Sequence, residues 1–397
     1  MERPGNDWGA VGPQYGFRVF TFSAVASPEV IDFVREYRAR CAAYAFCRSR
    51  GLCRPFSKYV YVPAVATVYK HVLNQSNSVL KASHIWPVLP VKFYLPEGDV
   101  YGNTAAPVVV DLAKGEVRIP FLKVRVGVRG NAVEKLLGLL GDDVRPRFAA
   151  QLVLMEDGMG REIVKVNLIA MRRKAPQKSG KKLYVGIDVN SRYGVTLVAV
   201  AVEGGTAKLV FIKRFKPPNH GRRRREAAKL QRIGRGREAA RVRRREKKLN
   251  KEFVKGVVHC VRELGLHWQA KGYEVHIYVD KPCEESLKNT ELQGTLNGLA
   301  KALRNVALFE GFLYSEVRAS GKLCPICGEE GYPLVKTNGK RIYTCGNHLW
   351  DRDFAASWNA ILKKAKPKKR KAVRKLLSRL GPRALGAPPK LPPQPPK

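Results

Sequence analysis

Three aspartates stand where phosphodiester chemistry could use them. Asp188 lies in Tyr184-Val185-Gly186-Ile187-Asp188-Val189-Asn190, an apolar stretch that reads as a strand. A lone carboxylate among apolar neighbours is costly to bury, so Asp188 must leave the core face or find a partner such as a divalent cation. Gly186 removes a side chain beside it and lets a phosphate or a backbone segment approach. Taken alone, Asp188 reads equally well as a capping or turn residue. Asp280 ends the apolar run Val275-His276-Ile277-Tyr278-Val279, although strands often end in Asp simply to begin a turn. Asp351-Arg352-Asp353 opens a helix that continues Ala355-Ala356-Ser357-Trp358-Asn359, and acids there suit the helix dipole whatever else they do. Taken together they say more. Hydrolysis with two Mg²⁺ ions needs carboxylates from separate strands and a helix, and Asp188, Asp280 and Asp353 meet that need if the fold gathers them.

Cys324-Pro325-Ile326-Cys327-Gly328 is followed after a spacer by Cys345-Gly346-Asn347-His348. Two such knuckles form a tetrahedral zinc pattern, in which three thiolates and one imidazole close the coordination sphere. The zinc they imply is therefore structural. Cys41, Cys47, Cys53, Cys260 and Cys283 show no metal spacing and read as buried apolar residues.

Lys and Arg number 74 against 33 Asp and Glu, a net charge of +41 over 397 residues. Such an excess repels itself unless a polyanion screens it, and nucleic acid is the common polyanion. The charge concentrates in Arg222, Arg223, Arg224, Arg225, Arg235, Arg237, Arg241, Arg243, Arg244, Arg245, Lys247 and Lys248. Arginines on every side of a helix with few acids cannot be satisfied by their own i,i+4 pairs, and they suit a phosphate backbone. No apolar run is long enough to span a membrane, and the N-terminal stretch lacks a signal layout, so the chain is expected inside the cell.

These residues need elements to hold them. Phe17 to Val25 reads as a strand, and Ser27-Pro28-Glu29 opens a helix that runs to about Arg50. A second helix is predicted over Pro63 to Ala82. Val91 to Val128 carries antiparallel-strand signals, a short helix follows at Ala132 to Leu140, and a hairpin spans Phe148 to Met171 around Asp157-Gly158. This suggests a small β-barrel with helices looped out. Ala175 to Lys181 is a basic linker. Strands then follow at Leu183 to Asn190, Val195 to Val202 and Lys208 to Phe215, then one basic helix over about Arg222 to Leu264. The strand at Val275 to Val279, a helix at about Glu291 to Ala307, a strand at Gly311 to Val317 and a last helix from Asp351 complete the order of an RNase H-like domain.

At this point the sequence resembles the TnpB family, RNA-guided nucleases encoded by insertion-sequence transposons and related to the type V CRISPR effectors. Three RuvC segments match in order: Gly186-Ile187-Asp188, the strand ending at Asp280, and Asp351-Arg352-Asp353 through Asn359. The zinc knuckles fall between the second and third. The match covers roughly Leu183 to Leu362, and the preceding part agrees only in layout. The resemblance implies an α+β multidomain chain. Its parts are a β-barrel wedge domain (1–26 and 88–175), a helical recognition insert (27–87) and a RuvC nuclease domain of RNase H-like fold (182–319 and 351–365). A zinc-ribbon module for target nucleic acid (320–350) completes it, and composition by itself makes 366–397 a basic, Pro-rich tail expected to be disordered.

The resemblance further implies guide RNA and target double-stranded DNA as partners, structural Zn²⁺, and catalytic Mg²⁺ at Asp188, Asp280 and Asp353. It places the chain in a prokaryotic cytoplasm, at the nucleoid. Three departures stand out. The family usually has Glu where this chain has Asp280, which moves the carboxylate by about 1.5 Å, one C–C bond; Glu284 or Glu285 is the alternative donor. Ala355 replaces a customary Asn, and His348 replaces a Cys. The leading expectation is an RNA-guided DNA endonuclease with a two-metal RuvC mechanism. Its rivals are a nuclease-inactive RNA-guided repressor or transposon regulator, and a DNA-binding zinc protein without a guide.

Overall fold

The computed structural model describes residues 15–49, 86, 88–102, 104–157, 159–190, 194–216, 220–280, 292–337 and 340–380, with backbone alone for 39–49, 220–221, 292–294, 297, 335–337 and 340. The expected helix over Pro63 to Ala82, Glu284 and Glu285 lie outside these residues. The chain divides into two compact units, Met1–Arg173 and Lys174–Lys397.

In the first unit, alternating apolar and polar residues build one curled sheet. Its strands are β1 (Gly16–Val25), β2 (Val88–Tyr94), β3 (Val100–Gly102), β4 (Val108–Asp111), β5 (Glu116–Ile119), β6 (Val124–Gly127), β7 (Arg147–Glu156) and β8 (Glu162–Arg172). They run β1-β8-β7-β2-β4-β5-β6, with β3 on β2. Helix α1 (Pro28–Ser49) starts where the Ser27 carbonyl accepts the Val30 and Ile31 N–H groups, and α2 (Gly130–Leu140) buries Leu136, Leu139 and Leu140. Two expectations are corrected. β2 and β4 pair in parallel, since the β3 excursion returns the chain to the same end of β2. The barrel does not close: β1 and β6 approach each other, but no ladder joins them among the described residues. The result is a half-barrel.

The second unit is built on a five-stranded sheet. β9 (Lys182–Asn190), β10 (Gly194–Glu203) and β11 (Thr206–Phe215) form an antiparallel meander. β12 (Glu274–Asp280) then pairs in parallel with β9, and β13 (Leu313–Val317) with β12. The order is β11-β10-β9-β12-β13. β9 is central, with apolar residues on both faces, because helices cover each side. One face carries Leu183, Val185 and Ile187 against Val257 and Val261 of α4 (Gly236–Ala270) and Leu299 and Leu303 of α5 (Leu292–Glu310). The other carries Tyr184, Val198 and Val200 against Trp358 and Ile361 of α6 (Arg352–Lys364) and Val373 and Leu377 of α7 (Pro367–Leu380).

Two further expectations fail in this unit. The basic helix is not continuous: α3 (His220–Arg232) ends in a Schellman turn at Gly234 and is followed by α4. There the Arg235 N–H reaches the Leu230 carbonyl and the Gly234 N–H the Gln231 carbonyl, with Gly234 at φ +76°. The tail from Lys366 is not disordered throughout either. Pro367 opens α7, whose Ala372, Val373 and Leu377 are buried on the sheet while Lys368, Lys371, Arg374, Lys375 and Arg379 face solvent. Among the described residues, no helix is long and apolar enough to cross a membrane.

Candidate functional site

Strand register brings the first two aspartates together. Asp280 at the end of β12 stands directly opposite Asp188 on β9, and neighbours in parallel register point to the same face. That face is the one α6 covers. The helix lies very close to β9 at Gly186, where a Cβ would collide with the Ser357 carbonyl oxygen. The segment the glycine admits is therefore the backbone of α6. Ser357 fastens the crossing: its Oγ accepts the Asp188 N–H at 3.1 Å and lies 3.0 Å from the Thr196 carbonyl of β10. One turn earlier on this helix stands Asp353, 1% exposed.

Electrostatics register the crowding. Burial raises the Asp188 carboxyl well above the ordinary carboxylate range, and the negative charges of Asp353 and Asp280 raise it further. Its Oδ2 is buried without a hydrogen-bond partner. Burial pushes Asp280 up to about 6, although its Oδ1 accepts the Ala319 N–H at 2.9 Å and Lys363 and Arg352 pull the other way. Asp353 has cations at both oxygens: Arg341 of the ribbon strand at Oδ1, and Arg214 of β11 at Oδ2, 3.4 Å away. Arg214 also bonds Asp351 Oδ1 at 2.6 Å. Asp351, fully buried, caps α6 by accepting the Asp353 N–H at 2.9 Å.

Sequence reasoning missed Arg214 and Arg341. Each stands many residues from the aspartates it holds, and no local spacing announces it. Ala355 lies on the buried side of α6, and Asn359 donates to the Ser320 and Leu323 carbonyls, tying α6 to the ribbon.

The donor set of Asp188, Asp280 and Asp353 is all carboxylate, the chemistry that hard divalent ions such as Mg²⁺ take. The bare buried Oδ2 of Asp188 and its raised proton affinity show a site short of positive charge. The three do not close around one point, however. Among the described residues, the only such group with mutually close ligand atoms is Cys324, Cys327, Cys345 and His348, all within 4.8 Å of one another.

That group fits zinc closely. Tetrahedral zinc with bonds of about 2.3 Å to sulfur and about 2.0 Å to nitrogen places two thiolates about 3.8 Å apart and a sulfur and a nitrogen about 3.5 Å apart. Cys327 and Cys345 sulfurs are 3.7 Å apart, and Cys345 Sγ is 3.5 Å from His348 Nδ1. Gly328 and Gly346, both at φ +90°, let the chain turn sharply after each knuckle cysteine. β14 (Tyr332–Thr337), β15 (Lys340–Thr344) and β16 (Leu349–Asp351) form the ribbon's sheet. Trp350 anchors it, with Nε1 donating to the Gly321 carbonyl at 3.0 Å. Of the remaining cysteines, Cys260 is half-buried and not fully interior. Cys41 and Cys47 are described only by their backbone, and Cys53 and Cys283 lie outside the described residues.

The basic residues divide between α3 (Arg222 to Arg225) and α4 (Arg237 to Lys248), with Arg235 at the junction. Arg235 is engaged locally, its guanidinium forked onto Glu238 at 2.5 and 2.6 Å. Lys248 lies 3.9 Å from Glu252 one turn on, and Arg243 reaches Gln231 across the hairpin. Part of this charge is thus satisfied internally, contrary to the expectation from composition.

No family model matches the sequence. No curated protein matches it either. Solved structures that resemble it include a Cas12f1-sgRNA-target DNA complex, at 10% identity and TM-score 0.45, covering 86% of this chain and 82% of that one. A CRISPR-Cas12f ternary complex aligns at 12% identity and TM-score 0.26, over 62% of this chain and half, 50%, of that one.

Proposed function

We propose that this chain is an RNA-guided DNA endonuclease of the transposon-associated type, with a RuvC site at Asp188, Asp280 and Asp353. The carrying observation is the register of Asp280 on Asp188 beneath a helix whose first turn holds Asp353. The strand order β11-β10-β9-β12-β13, antiparallel then parallel, is that of an RNase H-like domain and supports the reading. The three carboxylates are the groups that would hold Mg²⁺, and the ion would supply an activated water and neutralise the leaving oxygen. The chain's own residues set the stage. Ser357 and Gly186 fix α6 on β9, Asp351 and Arg214 fix the first turn of α6, and Arg341 balances Asp353. The arginines of α3 and α4 would bind guide RNA and target DNA through phosphates, and Zn²⁺ would order the ribbon.

A second reading, a nuclease-inactive RNA-guided regulator, is favoured by two features. Asp280 is shorter than the Glu the resemblance leads one to expect, and Asp353 is already held by two arginines. A misplacement of about 1 Å can cost on the order of a hundredfold in rate.

One experiment separates them. RNA co-purified with the chain is sequenced, and a matching duplex is offered with Mg²⁺ beside an Asp188→Ala control. Cleavage lost in the control supports the nuclease. Guide-directed binding without cleavage supports the regulator, and a chain that carries no RNA sinks both.

A further inference from the structure

Gly234 folds α3 back along α4, and the packing is close because Ala227 and Ala239, each 2% exposed, carry almost no side chain. Along the hairpin lies a half-open cavity of about 350 Å³ lined by Arg222, Arg223, Glu226 and Arg245. Three arginines and one glutamate thus share the lining. Arg223 Nη1 is shielded from water and has no hydrogen-bond partner. Like charges brought together with an unmatched donor call for an anion between them.

We infer that this cavity is a seat for one phosphodiester of a nucleic-acid strand, gripped by Arg223 and Arg245. The proposal rests on the nucleic-acid reading above and gives it a fixed point. The volume falls in the range of small-ligand sites, about 300–1,000 Å³, enough for a phosphate with its adjoining sugar. Among the described residues the lining holds no aromatic or apolar side chain to stack a base, so the phosphate is the part of a nucleotide these residues would grip. Arg224, Arg237, Arg241 and Arg244 are exposed on the same two helices and extend the charge beyond the cavity, as a strand requires. Guanidinium forks match phosphate oxygens in a geometry that an ammonium group lacks.

That difference supplies the test. The full chain, its Arg223→Lys/Arg245→Lys variant and an Arg129→Lys/Arg147→Lys control, at two exposed arginines of the first unit, all carry the same charge. Affinities for a single-stranded RNA and for a DNA duplex are measured in each across a KCl series. The cavity variant is expected to bind about tenfold more weakly, while the control stays within about twofold of the parent. An Arg223→Gln/Arg245→Gln variant should also flatten the slope of log affinity against log salt by about one phosphate, about 0.7 for RNA or 0.9 for duplex. Loss confined to RNA assigns the seat to the guide, and loss confined to duplex assigns it to the target. Equal affinity of the cavity variant and the control overturns the seat in favour of a diffuse positive surface. A parent chain that binds neither nucleic acid overturns the functional reading itself.

Discussion

At the residue scale the decisive quantity is negative charge held out of water. Asp280 binds its proton with a pKa of about 6 in the fold against 3.8 for the free side chain. Between those values the folded chain holds more protons than the unfolded one, so stability falls as pH rises through that window. Asp188 contributes in the same direction. In divalent-free buffer, Asp280→Asn keeps an acceptor for the Ala319 N–H and removes the charge. It should raise the melting temperature above pH 6 and flatten the pH slope, by about 1 kcal/mol after allowance for solvent screening. Cleavage should behave oppositely in the parent, rising as pH passes through about 6 because only ionised carboxylates hold a cation. Thermal melts of the Asn variant that match the parent's at every pH from 4 to 8 would refute the charge account. Gly186→Ala is a geometric counterpart. Its methyl would meet the Ser357 carbonyl and Ile361 Cγ1 at 2.9 Å, pushing α6 from β9. Destabilisation of about 1–3 kcal/mol and a loss of about a hundredfold in cleavage are expected. A variant that melts and cuts like the parent would sink the contact.

At the element scale, what the sequence revealed depended on whether the signal was local. The apolar strands around Asp188 and before Asp280 and the paired knuckles were legible because period, spacing and composition agree within a few residues. The amphipathic face of α7 was not: Ala372, Val373 and Leu377 are hidden among basic residues that read as a disordered tail, although Pro367 is a helix-opening signal. The break in the basic helix was announced by Gly234-Arg235-Gly236 and overridden by the charge on both sides. Arg214 and Arg341 had no local signature, because their role exists only once β11 and β15 are folded against α6. Truncation after Lys366 should therefore cost up to about 3–5 kcal/mol, the burial of Val373 and Leu377 alone. A melting point unmoved by that truncation would return the segment to a tail. The ribbon makes a separate prediction. The chain should contain one zinc per molecule, and Cys324→Ser should lose it and open β14 to β16 to amide exchange. His348→Cys should retain the metal. Absence of zinc by elemental analysis would overturn the site.

At the scale of the whole molecule, a net charge of +41 makes salt act in two opposite directions. In the free chain, counter-ions screen the repulsion among arginines and lysines, so the melting temperature should rise by several degrees from 50 to 300 mM KCl. A bound nucleic acid supplies that screening itself and adds its binding energy, about 4 kcal/mol when present at a thousand times its Kd. Binding through many phosphates weakens steeply with salt, by about 10³–10⁵ between 50 and 200 mM for six to ten contacts. The melting temperature of the complex should therefore fall over the same range until the two curves meet. Differential scanning with and without RNA reads both lines in one series. A free chain that loses stability on adding salt would mean that ion pairs such as Arg235–Glu238 outweigh the repulsion. Parallel curves would mean that the excess charge serves solubility and does not bind a polyanion. Convergence ties the hairpin, α7 and the sheet's carboxylate rim to one role, a scaffold whose basic surface is completed by nucleic acid.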